Sequence, residues 1–349
     1  MAWAIPQYKP AEVDAAGDAL IRRAPRRSMA DWEEYERAFL VINNWRSSHS
    51  FPLNTFQMGL RRNTRHTDPN GLVAQRIKRL SSIANKLRRM RNLKLSEMQD
   101  IGGCRAVVES VNHVREVVGR YKTSALKHHL IDEDDYILNP KPSGYRGYHL
   151  IYRYNSDRKT TYNGLKIELQ IRSPLQHAWA TAVETVDTFT HQALKSSSGE
   201  ADWLRFFALM GTAIANRERT PHVPATPGPK KDLVQELSYF ATTLQVETKL
   251  LAYGDTLRTV EQGGALADSH YFLVVLNPAE SKVTVTGFRA RELEKASDEY
   301  LATERAISEV KGADAVLVSV DSLAALKRAY PNYFFDTDVF LSALRRALA

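Results

Sequence analysis

Apolar and polar residues alternate along residues 165–172, and this period of two predicts a β-strand with one buried and one polar face. The apolar positions are Leu165, Ile167, Leu169 and Ile171, and the polar positions are Lys166, Glu168, Gln170 and Arg172. A row that contains an acid, an amide and bases suits ligand binding, although a solvated face of an antiparallel strand has the same alternation. The pattern therefore predicts the strand and leaves the role of its polar face open.

The same periodicities predict further elements in the first two thirds of the chain. N-terminal helices are predicted at 11–21, from Asp31 as N-cap, and at 53–62. The middle of the chain is predicted to contain a basic helix from Arg76 onward, strands near 103–109, 127–137 and 148–154, and helices near 111–121 and 173–192.

A different composition begins at Pro221, because four prolines occur in the nine residues 221–229, and this predicts a linker. The C-terminal segment after it is predicted to contain a long helix at 232–262, strands at 271–276, 282–288 and 315–320, and helices at 290–310, 322–329 and 337–348. The fold class is therefore α+β, with a mixed β-sheet domain flanked by helices and a small α+β C-terminal module.

Length and composition restrict the class of protein. A chain of 349 residues is long enough for two or three domains, and 43% hydrophobic residues can form a substantial core. The formal net charge of +8 suits an anionic ligand. Cys104 is the only cysteine, which excludes an intrachain disulfide and a cysteine-rich zinc site. No membrane-spanning run and no signal-peptide pattern are found in the sequence, so we expect a cytoplasmic protein.

Two acidic residues are candidates for a metal site. Asp100 precedes the strand predicted at 103–109, and Glu168 lies on the alternating strand. Paired carboxylates on a rigid sheet suit Mg²⁺, which prefers oxygen ligands and leaves positions for a phosphate substrate.

A basic segment precedes Asp100. Residues 76–91 contain seven basic residues and no acidic one, and helical spacing places Ser82, Lys86 and Arg89 on one face. Arginine and lysine are the usual partners of phosphate oxygens, so the segment predicts a polyphosphate site. A solvated basic helix is the alternative.

These segments, with the loop at 140–149, resemble the synthetase domain of the RelA/SpoT family of alarmone synthetases. Four motifs occur in the family's order: Arg76, Lys78, Ser82 and Lys86; Asp100, Gly103 and Arg105; Lys141, Gly144, Tyr145 and His149; and Glu168, Gln170 and Arg172. Four ordered motifs are far more specific than a single one. The resemblance covers about residues 40–215 and does not extend to the C-terminal third.

The resemblance implies a nucleotidyltransferase-like fold and transfer of the β,γ-pyrophosphate of ATP to the 3′-hydroxyl of GDP or GTP, with release of AMP. It implies that Asp100 and Glu168 are catalytic and hold Mg²⁺. The implied ATP-binding residues are Arg76, Lys78, Ser82, Lys86 and Arg105. The implied acceptor-binding residues are Lys141, Tyr145, His149, Gln170 and Arg172, with Tyr145 stacked on the acceptor base.

Two other functions are kept open. Ser143 and the run Arg146-Gly147-Tyr148 depart from the pattern of many guanosine-nucleotide synthetases and are similar to toxic small alarmone synthetases, some of which modify the 3′ CCA end of tRNA. That reading would make the protein the toxin of a toxin–antitoxin pair. A catalytically silent nucleotide-sensing module is the second alternative, and both candidate metal acids argue against it.

The predicted organisation is an N-terminal helical region (1–70), a synthetase domain (71–220), a linker (221–230) and a C-terminal unit (231–349). For this last unit we predict regulation or partner binding, with the strands at 271–276 and 282–288 as edges open to a partner. A stability or dimerisation module is the alternative. The predicted partners are ATP and the acceptor, with a homo-oligomer and a regulator of the C-terminal unit left open, and no membrane.

Overall fold

The computed structural model describes residues 3–22, 29–190, 201–255, 258–262, 266–277, 280–307, 310 and 313–349. Three helices begin the chain, as the sequence predicts: α1 (Pro10–Ile21), α2 (Met29–Ser48) and α3 (Ser50–Thr67). Asp31 lies in the first turn of α2 and is therefore not its N-cap. No helix in the described part of the chain is long and apolar enough to cross a membrane.

A nine-stranded sheet forms the centre of the molecule. Residues 71–220, the central domain, contribute β1 (Leu72–Ile77), β2 (Gly102–Val107), β3 (His129–Asp135), β4 (Tyr148–Arg153) and β5 (Lys166–Arg172). The C-terminal unit contributes β6 (Arg258–Gln262), β7 (Tyr271–Asn277), β8 (Lys282–Phe288) and β9 (Asp314–Ser319). The strand order is β3-β4-β5-β2-β1-β9-β7-β8-β6. The α+β class with a mixed sheet and flanking helices is confirmed, since β2 and β5 are parallel and β1 and β2 antiparallel.

Nine further helices are described on and around this sheet. Those of the central domain are α4 (Leu80–Arg89), α5 (Val111–Thr123), α6 (Pro174–Thr190) and α7 (Ala201–Glu218). Those of the C-terminal unit are α8 (Lys230–Thr243), α9 (Val246–Asp255), α10 (Leu293–Ala306), α11 (Leu323–Ala329) and α12 (Asp338–Leu348).

Arg76 lies on a strand, so the prediction of a basic helix starting at this residue is wrong. Residues 72–77 form β1 and pair along their whole length with β2, and the helix α4 begins only at Leu80. The first four residues of β1 are buried. Pairing on both sides and burial outweigh the helical spacing of the charges, which is a surface property.

The C-terminal unit continues the sheet of the central domain. β9 pairs with β1 through Gln75↔Ser319 and Arg76↔Val318. β7 lies between β8 and β9, and β8 lies between β6 and β7, so neither strand is an edge. The prediction that residues 271–276 and 282–288 form exposed edges is therefore wrong. The hairpin turn that the sequence Asn277-Pro278-Ala279-Glu280-Ser281 predicts between them includes residues 278–279, which lie outside the described residues.

The proline-rich stretch packs against the central domain. Val223 is 2% exposed, and its backbone N–H donates to the hydroxyl of Thr212 on α7 at 3.0 Å. Helix α8 then contributes Leu233 and Leu237 to a core shared with α6 and α7. The composition of residues 221–229 correctly marks a break between helices, but the segment is anchored on both sides.

The long helix predicted at 232–262 is divided in three. Gln245, with φ of +53°, separates α8 from α9, and residues 258–262 form the strand β6. A left-handed residue ends a helix because it redirects the chain away from the helix axis. The sequence analysis did not predict the five-residue strand β6.

Candidate active site

A cleft of about 110 Å³ brings together most of the residues predicted to bind ATP and metal. Its walls are Arg76, Lys78, Asp100, Gly103, Cys104, Arg105, Glu168, Gln170 and Tyr330. The sheet explains the convergence, since β2 lies between β1 and β5 and places Gly103 opposite both Arg76 and Glu168. Eight of these residues come from the central domain, whereas Tyr330 follows α11 in the C-terminal unit.

Asp100 is held by two lysines. Its carboxylate accepts from Lys78 Nζ at 2.7 Å and from Lys86 Nζ at 2.9 Å. Burial raises the pKa of Asp100, and the charge of nearby Glu168 acts in the same direction, but the lysines outweigh both and hold this pKa below its usual value. Asp100 is therefore ionised, and the lysines are positioned to bind a second group of anionic oxygens.

Glu168 forms the opposite side of the site. His149 Nδ1 lies 2.9 Å from Glu168 Oε1, and Gln170 Nε2 donates to Oε2 at 2.6 Å. Burial raises the pKa of Glu168, but His149, Gln170 and Lys78 outweigh it and leave the pKa well below the ordinary value. A carboxylate with a lowered pKa is a good cation ligand and a poor proton acceptor.

A buried hydrogen-bond network connects Glu168 to the residues predicted to bind the acceptor. The Tyr145 hydroxyl lies 2.5 Å from His149 Nε2 and accepts from Arg172 Nη2 at 2.7 Å. Arg172 Nη2 also donates to Gln170 Oε1 at 2.8 Å. Nε and Nη1 of Arg172 are buried without a hydrogen-bond partner among the described residues. The network thus leaves cationic donors beside the cleft, where an anion would satisfy them.

The loop that carries Tyr145 is fixed by Arg146. This side chain is 2% exposed and donates to the backbone carbonyls of Ile137 and Gly211 and to the Thr220 hydroxyl, at 3.1–3.2 Å. Gly144 has φ of +96°, and a Cβ on it would lie 2.5 Å from the carbonyl oxygen of Phe207. The departure from the common family pattern at Arg146 therefore anchors the loop on α7.

Arg105, predicted to bind ATP, is occupied by the C-terminal unit. Its Nη1 donates to the carbonyl oxygen of Ala329 at 3.2 Å, and its guanidinium lies 5.6 Å from the Tyr330 ring centroid. Burial is the main cause that lowers the pKa of Arg105, to about 10. Tyr330 and Ala329 were missed by sequence reasoning, because no local pattern connects residues more than two hundred positions apart.

The C-terminal unit also contacts the segment between β1 and α4. Arg79 is paired with Asp314 and donates to the Tyr333 hydroxyl at 3.1 Å. Glu304 Oε1 accepts from the backbone N–H of Leu80, the first residue of α4, at 3.0 Å. These contacts fix both ends of the short connection that follows Lys78.

Arg46 on α2 adds to these contacts between the C-terminal unit and the β1–α4 connection. It pairs with Glu304 at 2.7 Å, donates to the Tyr300 hydroxyl at 2.7 Å and donates to the carbonyl oxygen of Lys78 at 2.9 Å. Arg46 and Glu304 are nearly completely buried. The N-terminal helices, the β1–α4 connection and α10 therefore meet in one polar cluster.

The other predicted residues lie outside the walls of the cleft. Lys86 reaches it through Asp100, whereas Ser82 lies one turn earlier on α4. Lys141 is exposed, with Nζ 4.2 Å from the ring centroid of Tyr136. Tyr145 is 9% exposed and packs against Trp179. Its stacking on an acceptor base stays a prediction.

Part of the central domain is similar to known proteins. Residues 75–190 match the family model described as a region found in RelA/SpoT proteins. The chain is 34% identical over 116 residues to the GTP pyrophosphokinase YjbM of Bacillus subtilis, a match that covers 32% of this chain and 54% of that protein. It is 29% identical over 145 residues to the GTP pyrophosphokinase of Escherichia coli, covering 41% and 18%.

Among solved structures, small alarmone synthetase 1 of Bacillus subtilis bound to pppGpp is 23% identical, with a TM-score of 0.41, over 54% of this chain and 95% of that one. The chain spans about half the length of YjbM, the first curated relative that it matches. The match begins on β1 and ends with α6, and it includes Arg76, Asp100, Arg105 and Glu168. The resemblance inferred from the four motifs is confirmed over residues 75–190, the part of the chain that matches the RelA/SpoT family model.

Proposed function

We propose that the protein is a pyrophosphokinase that transfers the β,γ-pyrophosphate of ATP to the 3′-hydroxyl of GDP or GTP and releases AMP. The observation that carries this proposal is the convergence of Asp100, Glu168 and the cationic side chains of Arg76, Lys78 and Arg105 on one cleft. The similarity to proteins named GTP pyrophosphokinase supports the same reaction.

Mg²⁺ fits the two acids. Their charges interact, and both carboxylates are ionised. Among the residues that the structure describes, no group of three or more His, Cys, Asp or Glu side chains could hold a metal. Mg²⁺ binds through one or two carboxylates and substrate phosphates, so the pair of Asp100 and Glu168 suits it. Asp100 and Glu168 would hold the ion, which would neutralise charge on the phosphates.

The protein's own contribution would be positioning and electrostatics. In-line attack on the β-phosphorus places charge on phosphate oxygens and requires little covalent chemistry from the protein. Lys78 and Lys86, now paired with Asp100, would bind these oxygens when ATP enters. Glu168 would act through its charge, because its lowered pKa makes it a weak base for the 3′-hydroxyl.

The acceptor would bind on the side of Tyr145, His149, Gln170 and Arg172, next to the two Arg172 nitrogens that have no hydrogen-bond partner among the described residues. The 3′ end of tRNA is the second candidate acceptor, favoured by the net charge of +8. Incubation with γ-labelled ATP and GDP, GTP or bulk tRNA tests the choice. Label in tRNA alone would replace the guanosine-nucleotide proposal, and label in none of them would favour the silent nucleotide-sensing module.

We further propose that the C-terminal unit gates this reaction. The supporting observation is that Tyr330 lines the cleft while Ala329 accepts from Arg105, so that ATP and the C-terminal unit compete for Arg105. A ligand or partner that displaced α11 would open the site. A purely stabilising role would leave transfer unchanged when Tyr330 is shortened.

Truncation after Pro229 cannot separate these two roles. Leu233, Leu237 and Phe340 belong to the same core as Trp179 and Phe207, so the fragment would expose apolar surface whether or not the unit gates. Tyr330→Ala in the full chain is the sharper test. Gating predicts faster transfer at ATP concentrations below saturation, and an unchanged or lower rate under those conditions would contradict it.

A further inference from the structure

A second cavity, of about 370 Å³, lies between the central domain and the C-terminal unit. It lies beside Leu72 and Val107, at the opposite end of β1 and β2 from the cleft. We name it the interdomain groove. The wall from the central domain includes Leu72, Val108, His177 and Thr181, and the wall from the C-terminal unit includes Pro331 and Phe340. Its volume is in the range of small-molecule sites.

His177 lines this groove and carries a hydrogen-bond acceptor that no described residue uses. Its Nε2 donates to the carbonyl oxygen of Arg328 at 3.1 Å, so the ring proton is on Nε2 and Nδ1 carries a lone pair. Nδ1 is buried and has no hydrogen-bond partner in the described part of the chain. The residue is only 8% exposed. A buried polar atom of this kind requires an explanation, and a hydrogen bond from a bound molecule would supply one.

The imidazole is neutral under ordinary conditions. Burial is the largest cause that lowers the pKa of His177, to about 3, and the charges of Arg105 and Arg172 act in the same direction. Nδ1 therefore accepts a hydrogen bond and does not donate one. A ligand must supply an N–H or O–H group at this point.

The charges that line the groove argue against a phosphate ligand. Asp68, Glu109 and Asp336 line it, and Arg328 is its one cation among the described lining residues. The Arg328 guanidinium already donates to the carbonyl oxygen of Asn70 at 3.4 Å. Much of the remaining wall is aliphatic or aromatic. The carboxylates of Asp68 and Asp336 already accept from backbone N–H groups, and Glu109 is exposed, so these acids are not arranged around a cation. The lining therefore suits an uncharged, mainly apolar molecule with one hydrogen-bond donor.

We propose that the interdomain groove binds a neutral, largely apolar heterocycle whose N–H donates to Nδ1 of His177, and that this ligand holds the C-terminal unit on the central domain. The second half rests on the gating proposed above. A ligand that touches both walls gains its full contacts only while the walls are together, so it favours the arrangement in which Tyr330 covers the cleft. Such a ligand would therefore inhibit the transfer reaction, because its binding is linked to closure of the cleft.

Indole is a suitable probe, and 1-methylindole is its matched control because it has the same rings without the N–H. Binding to the full chain would be measured by ligand-observed NMR titration. Indole should bind at least about tenfold more tightly than 1-methylindole, because a site built around a hydrogen bond rejects an analogue without it. Equal binding of the two probes would overturn the proposal without any variant.

Two substitutions locate the site. His177→Phe keeps an aromatic ring and has no hydrogen-bond acceptor in place of Nδ1, so it should abolish the preference for indole. Val339 lines the groove and is 53% exposed, so Val339→Trp should fill the groove without disturbing the core and should block both probes. Met58→Trp, on the exposed face of α3, is the control. Indole binding that survives Val339→Trp would place it elsewhere and contradict the proposal.

The regulatory half has a separate measurement. At ATP concentrations below saturation, saturating indole should lower the rate of transfer in the wild type and leave Val339→Trp unaffected. Binding in the groove without any effect on transfer would contradict the linkage alone. Absence of transfer under every condition, with binding intact, would count against the proposed reaction and not against the site.

Discussion

The guanidinium of Arg105 lies over the ring of Tyr330, 5.6 Å from its centroid, inside the cleft that Asp100 and Glu168 also line. Arg105 comes from the second strand of the central domain, and Tyr330 follows the eleventh helix of the chain. The contact makes the geometry of this cleft, the proposed ATP site, depend on a residue that the family match does not cover.

Removal of the Tyr330 ring should therefore increase the affinity for ATP. We expect Tyr330→Ala to bind a non-hydrolysable ATP analogue about tenfold more tightly, because a cation–aromatic contact of about 1–2 kcal/mol no longer competes for Arg105. Isothermal titration measures the change. Tyr239→Ala, at a site 62% exposed on α8, is the control. An affinity equal to that of the wild type would show that Tyr330 does not compete.

The two acids support a second prediction. Asp100→Asn and Glu168→Gln each remove one charge from the cleft with little change of shape, so transfer should fall by about 10²–10³-fold while the fold persists. Label transfer is measured in the wild type and again in the Tyr330→Ala background, where the gate should be open. Asp157→Asn, at an exposed ion pair with Lys127, serves as the matched control. Near-wild-type transfer in either variant would exclude that residue from the site.

The residues that converge on the cleft could be singled out from the sequence because their signal is local. Asp100, Glu168 and Gln170 occur in short motifs, and alternation alone places the last two on one strand face. What local patterns could not reveal is the pairing of β1 with β9, since Gln75 and Ser319 are separated by most of the chain. Local patterns also could not reveal that Glu304 on α10 accepts a hydrogen bond from the first residue of α4. An acid on an amphipathic helix resembles any solvated residue.

Arg46 and Glu304 permit a third prediction, about stability. Each is buried, and the remaining charge would lose its partner if one were neutralised, so Glu304→Gln should lower the free energy of unfolding by about 3–5 kcal/mol. Arg46→Met should cost a similar amount, and the double variant should cost clearly less than the sum. Urea unfolding measures all three. The exposed pair Arg345–Glu247 is the comparison, where the same cycle should give about 1 kcal/mol or less. Additive costs at Arg46 and Glu304 would show that the two side chains are not coupled.

The last prediction concerns pH and His177. Because the pKa of His177 is lowered to about 3, mainly by burial, the folded protein keeps this imidazole neutral while the unfolded chain binds a proton below about pH 6.5. The stability linked to His177 is thus complete above pH 6.5 and is lost as the pH falls toward 3, by up to about 1.4 kcal/mol per pH unit. His177→Gln should remove the contribution of His177 to the slope of the free energy of unfolding against pH. His66→Gln, on the exposed end of α3, should not change that slope. Urea unfolding at about pH 7.5, 6.5, 5.5 and 4.5 measures the difference in slope between the two variants. Since His49 is also buried with a pKa lowered to about 4, some acid sensitivity should persist in His177→Gln. An unchanged slope would mean that His177 gains access to protons from solvent before the chain unfolds.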